Sequence, residues 1–410
     1  MKTGLKLTLL VIVGFVILLT PFIYRNCSFN QIGSKFLHRN QTSASSKDFG
    51  ILVVSNPKNR SATGSQGEIF LFNLDSVEPI FRVSKPNKYS GFFVVPTGDV
   101  DHDGVWDFLA SFVSRNGAEN GVAELISGQD GKLIKQWRLP PKKGISKIFA
   151  AFSLDKKEMT DFYGISDGFL YKGAFGQIEV TPIKSITENF NDAVAMKDLN
   201  DDGIEEAFGI KEEILNKKKV QTLYIVDLRN QIILGEAQLE DGLSIEPSFS
   251  HADVGDFNSN KIQDLVTHYY RKSQDGESEE GDMIISGQRI LRGKVDPLFI
   301  RVTDNLPRNH IASAYKLCDL KGRGKPSVVI LQQGEVLDEA VLVSYDNDGK
   351  FLRKNTIDLA PNVAGRDLKI LGCLSTAVQK YQDVVVGDPM YRDDIAKKYG
   401  RVMVFDGRSF

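Results

Sequence analysis

The sequence predicts an all-β chain folded as a seven-bladed β-propeller with four-stranded blades, preceded by one N-terminal hydrophobic helix. Three observations lead to this prediction. Acidic loops of one pattern recur along the chain, and each is followed by an apolar run of strand type. The loops recur about every 55 residues, a length that suits one propeller blade. The chain also contains 36 glycines and few long helical patterns, as expected for many short strands joined by turns.

The repeat is clearest in three segments. They read GDVDHDGVWDFLASF from Gly98, KDLNDDGIEEAFGI from Lys197 and GDFNSNKIQDLVTHYY from Gly255. Two weaker copies start at Phe152 and Cys318. A sixth, from Ser375, keeps only its closing Asp383 and the strand, and a seventh, from Phe49, keeps only the strand. Later strands of several repeats end in Asp-Gly pairs, which favour tight hairpins. Seven copies therefore account for nearly all of the chain after its N-terminal region.

The two ends of the chain are expected to meet. The last copy stops at Phe410, directly after its third strand. We therefore expect residues 28–33 to add the outer strand of the last blade and residues 34–42 to start the first blade. Such closure leaves no strand edge unpaired. The chain then divides into residues 1–27, a cytoplasmic tip with a signal-anchor or transmembrane segment, and residues 28–410, the propeller.

Residues 7–24 form an almost entirely apolar stretch preceded by Lys2 and Lys6. Its length suits either a short membrane span or a long signal peptide. The flanking sequence TPFIYRNC lacks the small residues of a cleavage site, so an uncleaved anchor is preferred. The two lysines place the N-terminus in the cytoplasm and the propeller outside it, although Arg25 weakens this bias. Secretion after signal-peptide cleavage is the alternative.

Charge and cysteine content narrow the possible partners. The 51 Lys and Arg residues nearly balance the 53 Asp and Glu residues, so no overall field attracts nucleic acid. The basic segment 140–147 has no interleaved aromatic residues, and nucleic-acid binding is not expected. Of the three cysteines, Cys318 and Cys373 occupy equivalent parts of neighbouring repeats. Buried thiols are preferred over a bridge between them.

The three clear loops carry oxygen donors on alternate positions. With position 7 contributing its main-chain carbonyl, the predicted ligands are Asp99, Asp101, Asp103, Val105 and Asp107 in the first loop, Asp198, Asn200, Asp202, Ile204 and Glu206 in the second, and Asp256, Asn258, Asn260, Ile262 and Asp264 in the third. Hard oxygen ligands in a flexible ring favour Ca²⁺. An EF-hand is excluded because position 12 carries no glutamate and each loop leads into a strand.

The loops are not expected to bind equally. The first loop offers four carboxylates, the second three and the third two, so affinity should fall in that order. Lys261 also stands in the third loop where a glycine would turn more easily. In the loop from Asp319 the later ligand positions carry Lys321, Arg323 and Lys325, and no metal is expected there. The copy that ends at Asp161 is expected to be empty for the same reason.

These motifs resemble the FG-GAP repeats of integrin α-subunit propellers. The resemblance rests on the alternating acidic loops, on DVVVGDP from Asp383, on GRVMVFDG from Gly400 and on the entry segment SFNQIGSKF from Ser28. It covers roughly residues 28–410 and implies a propeller with calcium loops. The literal Phe-Gly and Gly-Ala-Pro signatures are mostly lost, and no leg domains follow the repeats. Ligand recognition by integrins is therefore not carried over.

The function expected from the sequence is a membrane-anchored, non-enzymatic scaffold for adhesion or recognition. It would bind a protein or glycan ligand through loops on one propeller face. The candidate loops are residues 211–219 and 272–282, although plain solvated loops explain both. No catalytic residue is assigned, because the five histidines are scattered and no G-x-S-x-G or H-E-x-x-H motif occurs. The alternative is a polysaccharide lyase or hydrolase built on a propeller.

Overall fold

The structure is a computed structural model, and it describes most of the chain after residue 33. The described residues are 34–37, 51–60, 66–73, 79–84, 88–114, 121–139, 147–153, 158–166, 168–202, 204–216, 218–246, 252–272, 278–302, 312–333, 339–358, 369–375, 381–393 and 398–407. Within these ranges no helix is long and apolar enough to cross a membrane. The hydrophobic segment 7–24 and the expected closing strand 28–33 lie outside the described residues.

The described chain is built from groups of consecutive antiparallel strands. The first three groups are β1 (Ser34–Leu37), β2 (Ile51–Arg60), β3 (Gln66–Asn73) and β4 (Pro79–Ser84); β5 (Lys88–Gly98), β6 (Asp107–Ser114), β7 (Val122–Ile126) and β8 (Leu133–Arg138); and β9 (Lys147–Ser153), β10 (Glu158–Ser166), β11 (Phe169–Ala174) and β12 (Thr181–Pro182). Single-residue bridges between Gln66 and Tyr89 and between Glu158 and Gly98 join these groups into one sheet.

The later groups form separate sheets. They are β13 (Asp192–Met196), β14 (Glu206–Leu215), β15 (Lys218–Asp227) and β16 (Ile232–Gln238); β17 (Leu243–Ile245), β18 (Asp253–Gly255), β19 (Asp264–Lys272), β20 (Ser278–Ile285) and β21 (Pro297–Val302); β22 (Ala312–Cys318), β23 (Ser327–Gln333), β24 (Glu339–Tyr345) and β25 (Phe351–Asp358); and β26 (Lys369–Ser375), β27 (Gln382–Asp393) and β28 (Lys398–Phe405). A single helical turn, α1 (Gly287–Ile290), follows β20.

One inner strand of each group contacts the inner strands of the neighbouring groups around a ring. These contacts run from β1 to β5, then to β9, β13, β18, β22 and β26, and β26 contacts β1 again. Antiparallel sheets arranged in chain order around such a ring form a β-propeller. The predicted all-β class and propeller fold are therefore confirmed.

Burial explains the strand sequences. The second strands are nearly continuous apolar runs because both of their faces pack against neighbouring groups, as the buried first halves of β14 and β19 show. The outer strands β8 and β16 alternate between exposed and buried residues, since they lie at the sheet edge. The core lies between groups: one cluster packs Phe208 of β14 against Leu265 of β19 and Met283 of β20.

A disulfide joins two neighbouring groups. Cys318 ends β22, Cys373 lies in β26, and their Cα atoms are 5.7 Å apart. The expectation of two buried free thiols is therefore wrong. Because β22 and β26 contact each other as inner strands, equivalent positions in these two repeats lie side by side. That geometry allows the bond.

Candidate metal centres

The three predicted calcium loops share one main-chain geometry. Each connects the inner strand of a group to its second strand, as the loop between β5 and β6 does. In each loop the N–H of position 7 donates to the side-chain oxygen of position 5. These distances are 2.8 Å for Val105 to Asp103, 2.9 Å for Ile204 to Asp202 and 2.8 Å for Ile262 to Asn260. The side chain of position 5 is thus held against the turn in the same way in all three loops.

The last donor of each loop is buried beneath the turn. Asp107, Glu206 and Asp264 are at most 1% exposed. Each accepts the N–H of position 2 of its own loop: Val100 at 2.7 Å, Leu199 at 2.6 Å and Phe257 at 3.1 Å. Position 9 therefore fixes the start of the loop on the first residue of the second strand.

Burial changes the acidity of these three side chains. It raises the pKa of Asp107 to about 7, that of Glu206 to about 8 and that of Asp264 to about 6. The cause is desolvation, which penalises the charged form of a carboxylate. A nearby cation offsets this penalty and favours the ionised form. The buried carboxylates therefore suit a site that holds a positive charge.

The first loop brings three carboxylates together. One oxygen each of Asp99, Asp101 and Asp103 lies within 4.8 Å of the others. The Oδ1 atom of Asp99 is buried and accepts no hydrogen bond, whereas its Oδ2 atom accepts the N–H of Gly104 at 2.9 Å. His102 is exposed. An oxygen-only cluster with an unsatisfied buried oxygen fits Ca²⁺.

The second loop contains a carboxylate that the sequence did not identify. Asp227, at the end of β15, lies with Asp202 and Glu206 so that one oxygen of each is within 4.8 Å of the others. Asp198 and Asn200 lie in the same loop, where both accept the N–H of Asp202. Asp227 is separated from the loop in sequence, and the spacing rule considers only residues within one loop.

The third loop has fewer charges. Its two carboxylates, Asp256 and Asp264, are accompanied by the side-chain oxygens of Asn258 and Asn260, both of which accept main-chain N–H groups. Asp256 accepts the N–H of Lys261 at 2.9 Å, as Asp99 accepts that of Gly104. The loop keeps the common fold with a smaller negative charge.

Residue 6 of the loop needs a left-handed backbone. Gly104 adopts a φ of 88° and Lys261 a φ of 72° in the equivalent place. Glycine reaches this region freely, whereas a side chain adds strain of about 1–2 kcal/mol. The third loop therefore carries strain that the first does not.

Replacing Lys261 with glycine is expected to raise the free energy of unfolding by about 0.5 kcal/mol. Glycine removes the strain of the left-handed backbone but adds conformational entropy to the unfolded chain, and the gain is the difference between these two effects. Chemical denaturation of the full chain measures it. Lys261→Ala is the control, since alanine removes the charge but keeps the Cβ; an equal gain in both variants would contradict the strain explanation.

The loop from Asp319 shares the fold but supplies its own cation. The N–H of Gly324 donates to Asp319 at 2.7 Å, which reproduces the contact made by Gly104 in the first loop. The ammonium group of Lys321, at position 3, lies 3.1 Å from Asp346 at the end of the third strand of this group. The ammonium group of Lys321 thus occupies loop position 3, where the other three loops carry an oxygen donor.

Neighbouring loops are tied together by glutamine side chains. Gln263, at position 8 of the third loop, accepts the N–H of Lys197 at the start of the second loop at 2.6 Å. Gln382 accepts the N–H of Asp319 in the same way at 2.7 Å. Each of these glutamines connects its own group to the preceding one.

A buried polar cluster lies between two groups, away from the loops. The hydroxyl of Tyr315 in β22 donates to Asp282 of β20 at 2.5 Å, and His268 of β19 lies 3.4 Å from the same hydroxyl. All three side chains are at most 3% exposed. Because strands of adjacent groups enclose them, these residues connect the groups to one another.

Comparison with known proteins gives structural likeness only. No family model matches the chain, and no curated protein matches it. Many solved structures are similar to it, including the following three. The β-propeller domain of the Trilobed protease from Pyrococcus furiosus has a TM-score of 0.44 at 9% identity and covers 91% of this chain and 97% of its own. The tricorn protease has a TM-score of 0.36 at 12% identity, with coverages of 90% and 41%. The quinohemoprotein alcohol dehydrogenase ADHIIG from Pseudomonas putida HK5 has a TM-score of 0.41 at 7% identity, with coverages of 93% and 76%.

These comparisons correct one expectation from the sequence. The three proteins are enzymes or domains of enzymes, so the comparisons contradict the expected non-enzymatic adhesion scaffold without showing an activity. The scaffold function and the statement that the chain is not an enzyme are therefore withdrawn. The likeness concerns the fold, and no activity of these proteins is transferred to this chain. The chain spans 41% of the tricorn protease.

Proposed function

We propose that this chain is a calcium-binding propeller of the FG-GAP type, in which Ca²⁺ holds the loops between inner and second strands. The observation that carries the proposal is the recurrence of one loop geometry in three groups, each with donors on alternate positions. Carboxylate and amide oxygens are the ligands that Ca²⁺ prefers. A bound ion supplies positive charge beside carboxylates that burial otherwise destabilises.

The proposed propeller has seven blades. Seven inner strands, β1, β5, β9, β13, β18, β22 and β26, follow one another in the described ring of contacts. Most of the described groups contain four strands, and the last contains three, β26 to β28.

We further propose that the propeller lies outside the cytoplasm, held by residues 7–24. The bond between Cys318 and Cys373 supports this location, since disulfides persist mainly in oxidising compartments. The protein or glycan ligand stays a prediction from the sequence.

Direct measurement of bound Ca²⁺ tests the proposed function. Isothermal titration of the full chain, after chelator treatment, is expected to give three bound ions. Asp103→Asn, Glu206→Gln and Asp256→Asn should each weaken one of them, because each removes a ligand charge. Asp319→Asn is the matched control, since its loop contains Lys321. A chain that binds no Ca²⁺, or variants that bind like the unmodified chain, would refute the proposal.

A further inference from the structure

We propose that Asp227 is a direct ligand of the cation in the loop of residues 198–206, although it belongs to a different turn. The inference rests on the proposed calcium binding and extends it to a residue outside the repeated loop motif. Asp227 ends β15, is 1% exposed, and shares a cluster with Asp202 and Glu206 in which one oxygen of each lies within 4.8 Å of the others.

The cluster concentrates negative charge without a side-chain cation. Among the described residues, no Lys, Arg or His forms a salt bridge with Asp202, Glu206 or Asp227. Arg229 is close, but its guanidinium donates to the main-chain carbonyl of Asp202 and not to a carboxylate. Three carboxylates in a largely buried place repel one another, and a divalent ion removes that repulsion.

One oxygen of Glu206 is available to such an ion. Its Oε2 atom accepts the N–H of Leu199 at 2.6 Å, whereas its Oε1 atom is buried and accepts no hydrogen bond. Asp202 likewise has a buried oxygen, Oδ2, that accepts no hydrogen bond. Buried carboxylate oxygens are normally satisfied, so these two indicate a missing positive partner.

The first and third loops show how the oxygen equivalent to Oε1 of Glu206 is satisfied elsewhere in the ring. In the first and third loops the equivalent oxygen accepts the N–H of a glycine after the third strand: Gly128 donates to Asp107 at 3.0 Å, and Gly287 donates to Asp264 at 3.2 Å. A Cβ on either glycine would lie 2.0–2.1 Å from a main-chain oxygen, so only glycine allows this approach. Leu228 stands at that place in the second group. Among the described residues no N–H reaches Oε1 of Glu206, and Asp227 adds a further carboxylate beside it.

The group that contains Asp319 supplies independent support. Val226 pairs with Ala207, and Tyr345 pairs with Val328, so the next residues, Asp227 and Asp346, occupy equivalent positions. Asp346 faces the ammonium group of Lys321 at 3.1 Å. The carboxylate at this position therefore meets a positive charge where the loop provides one, and Asp227 has the same position without the lysine.

The hydrogen bonds of Asp227 within the turn of residues 227–230 leave part of its acceptor capacity unused. Its Oδ1 atom accepts the N–H of Asn230 at 2.7 Å. Its Oδ2 atom accepts the side-chain amides of Asn230 at 2.8 Å and Asn200 at 2.9 Å. A carboxylate has about four acceptor sites, so one remains for an ion. Asparagine at position 227 would keep the Oδ1 contact that closes the turn and would lose the charge.

Titration of the Asp227→Asn chain with Ca²⁺ tests the inference. We expect one of the three binding steps to weaken about tenfold or more, as Glu206→Gln should also weaken it, while the other two are unchanged. Asp346→Asn is the matched control and should leave all three steps unchanged, because Lys321 already serves that carboxylate. Circular dichroism of each variant confirms that the sheets are intact.

The outcomes separate the inference from the proposed function. If Glu206→Gln weakens a step and Asp227→Asn does not, Asp227 only closes its turn and the inference is wrong, while calcium binding stands. If the unmodified chain binds no Ca²⁺, the proposed function itself fails. If Asp227→Asn and Asp346→Asn weaken binding equally, the effect is general charge loss, and the inference is again wrong.

Discussion

Calcium is expected to raise the free energy of unfolding by about 2.7 kcal/mol per site when the concentration of free Ca²⁺ is a hundred times the Kd of that site. The gain follows from mass action, since the folded loops bring the donors together and the unfolded chain does not. Asp107, Glu206 and Asp264 are almost completely buried at the end of each loop. A Ca²⁺ ion beside them would stabilise their charged form and with it the loop. Thermal melting with calcium and with chelator measures the difference.

Mutations in the loops provide the control for this effect. The variant that combines Asp103→Asn, Glu206→Gln and Asp256→Asn should lose most of the calcium-dependent shift in Tm. Asp319→Asn should keep the full shift, because Lys321 already places a positive charge in that loop. An identical Tm with calcium and with chelator in the unmodified chain would show that the loops are only acidic turns.

Loss of the disulfide should lower the stability of the chain strongly. The bridge closes 55 residues, and Cys318→Ser is expected to lower the free energy of unfolding by about 4 kcal/mol on the loop-entropy estimate. Cys373→Ser should cost about the same, since each variant breaks the same bond. Urea denaturation of the oxidised proteins measures both losses.

Two comparisons test the assignment of this bond. Treatment of the unmodified chain with a reducing agent should lower its stability to the level of the serine variants. The double variant should be no less stable than either single one, because the bond can be lost only once. Cys27→Ser should have no such effect. Equal stability of oxidised and reduced protein would contradict a bond that constrains the unfolded chain.

The fold and the positions of the acidic turns could be predicted because both obey local rules. Oxygen donors on every second residue, followed by an apolar strand, predict a metal-binding turn from about fifteen consecutive residues alone. The propeller class followed from the repetition of that unit. These signals depend only on neighbouring residues and survive in a single sequence.

Asp227 and the disulfide could not be predicted with the same rule, because each depends on how separate strands meet. Asp227 reaches the second loop only because β15 pairs with β14 and ends beside the turn. The substitution of Leu228 for the glycine found at Gly128 and Gly287 is the signal that could have pointed to it. Cys318 and Cys373 lie at one repeat's distance, which places them together once inner strands are adjacent.

The glutamine contacts between loops have a consequence for how ions load onto the ring. Gln263 immediately precedes Asp264, and its side chain accepts the N–H of Lys197, the residue before Asp198. A Ca²⁺ ion bound at the third loop would therefore also order the entrance of the second. Filling of one site should make filling of its neighbour easier, so these two steps would show positive cooperativity, and their ligand substitutions would not have additive energies.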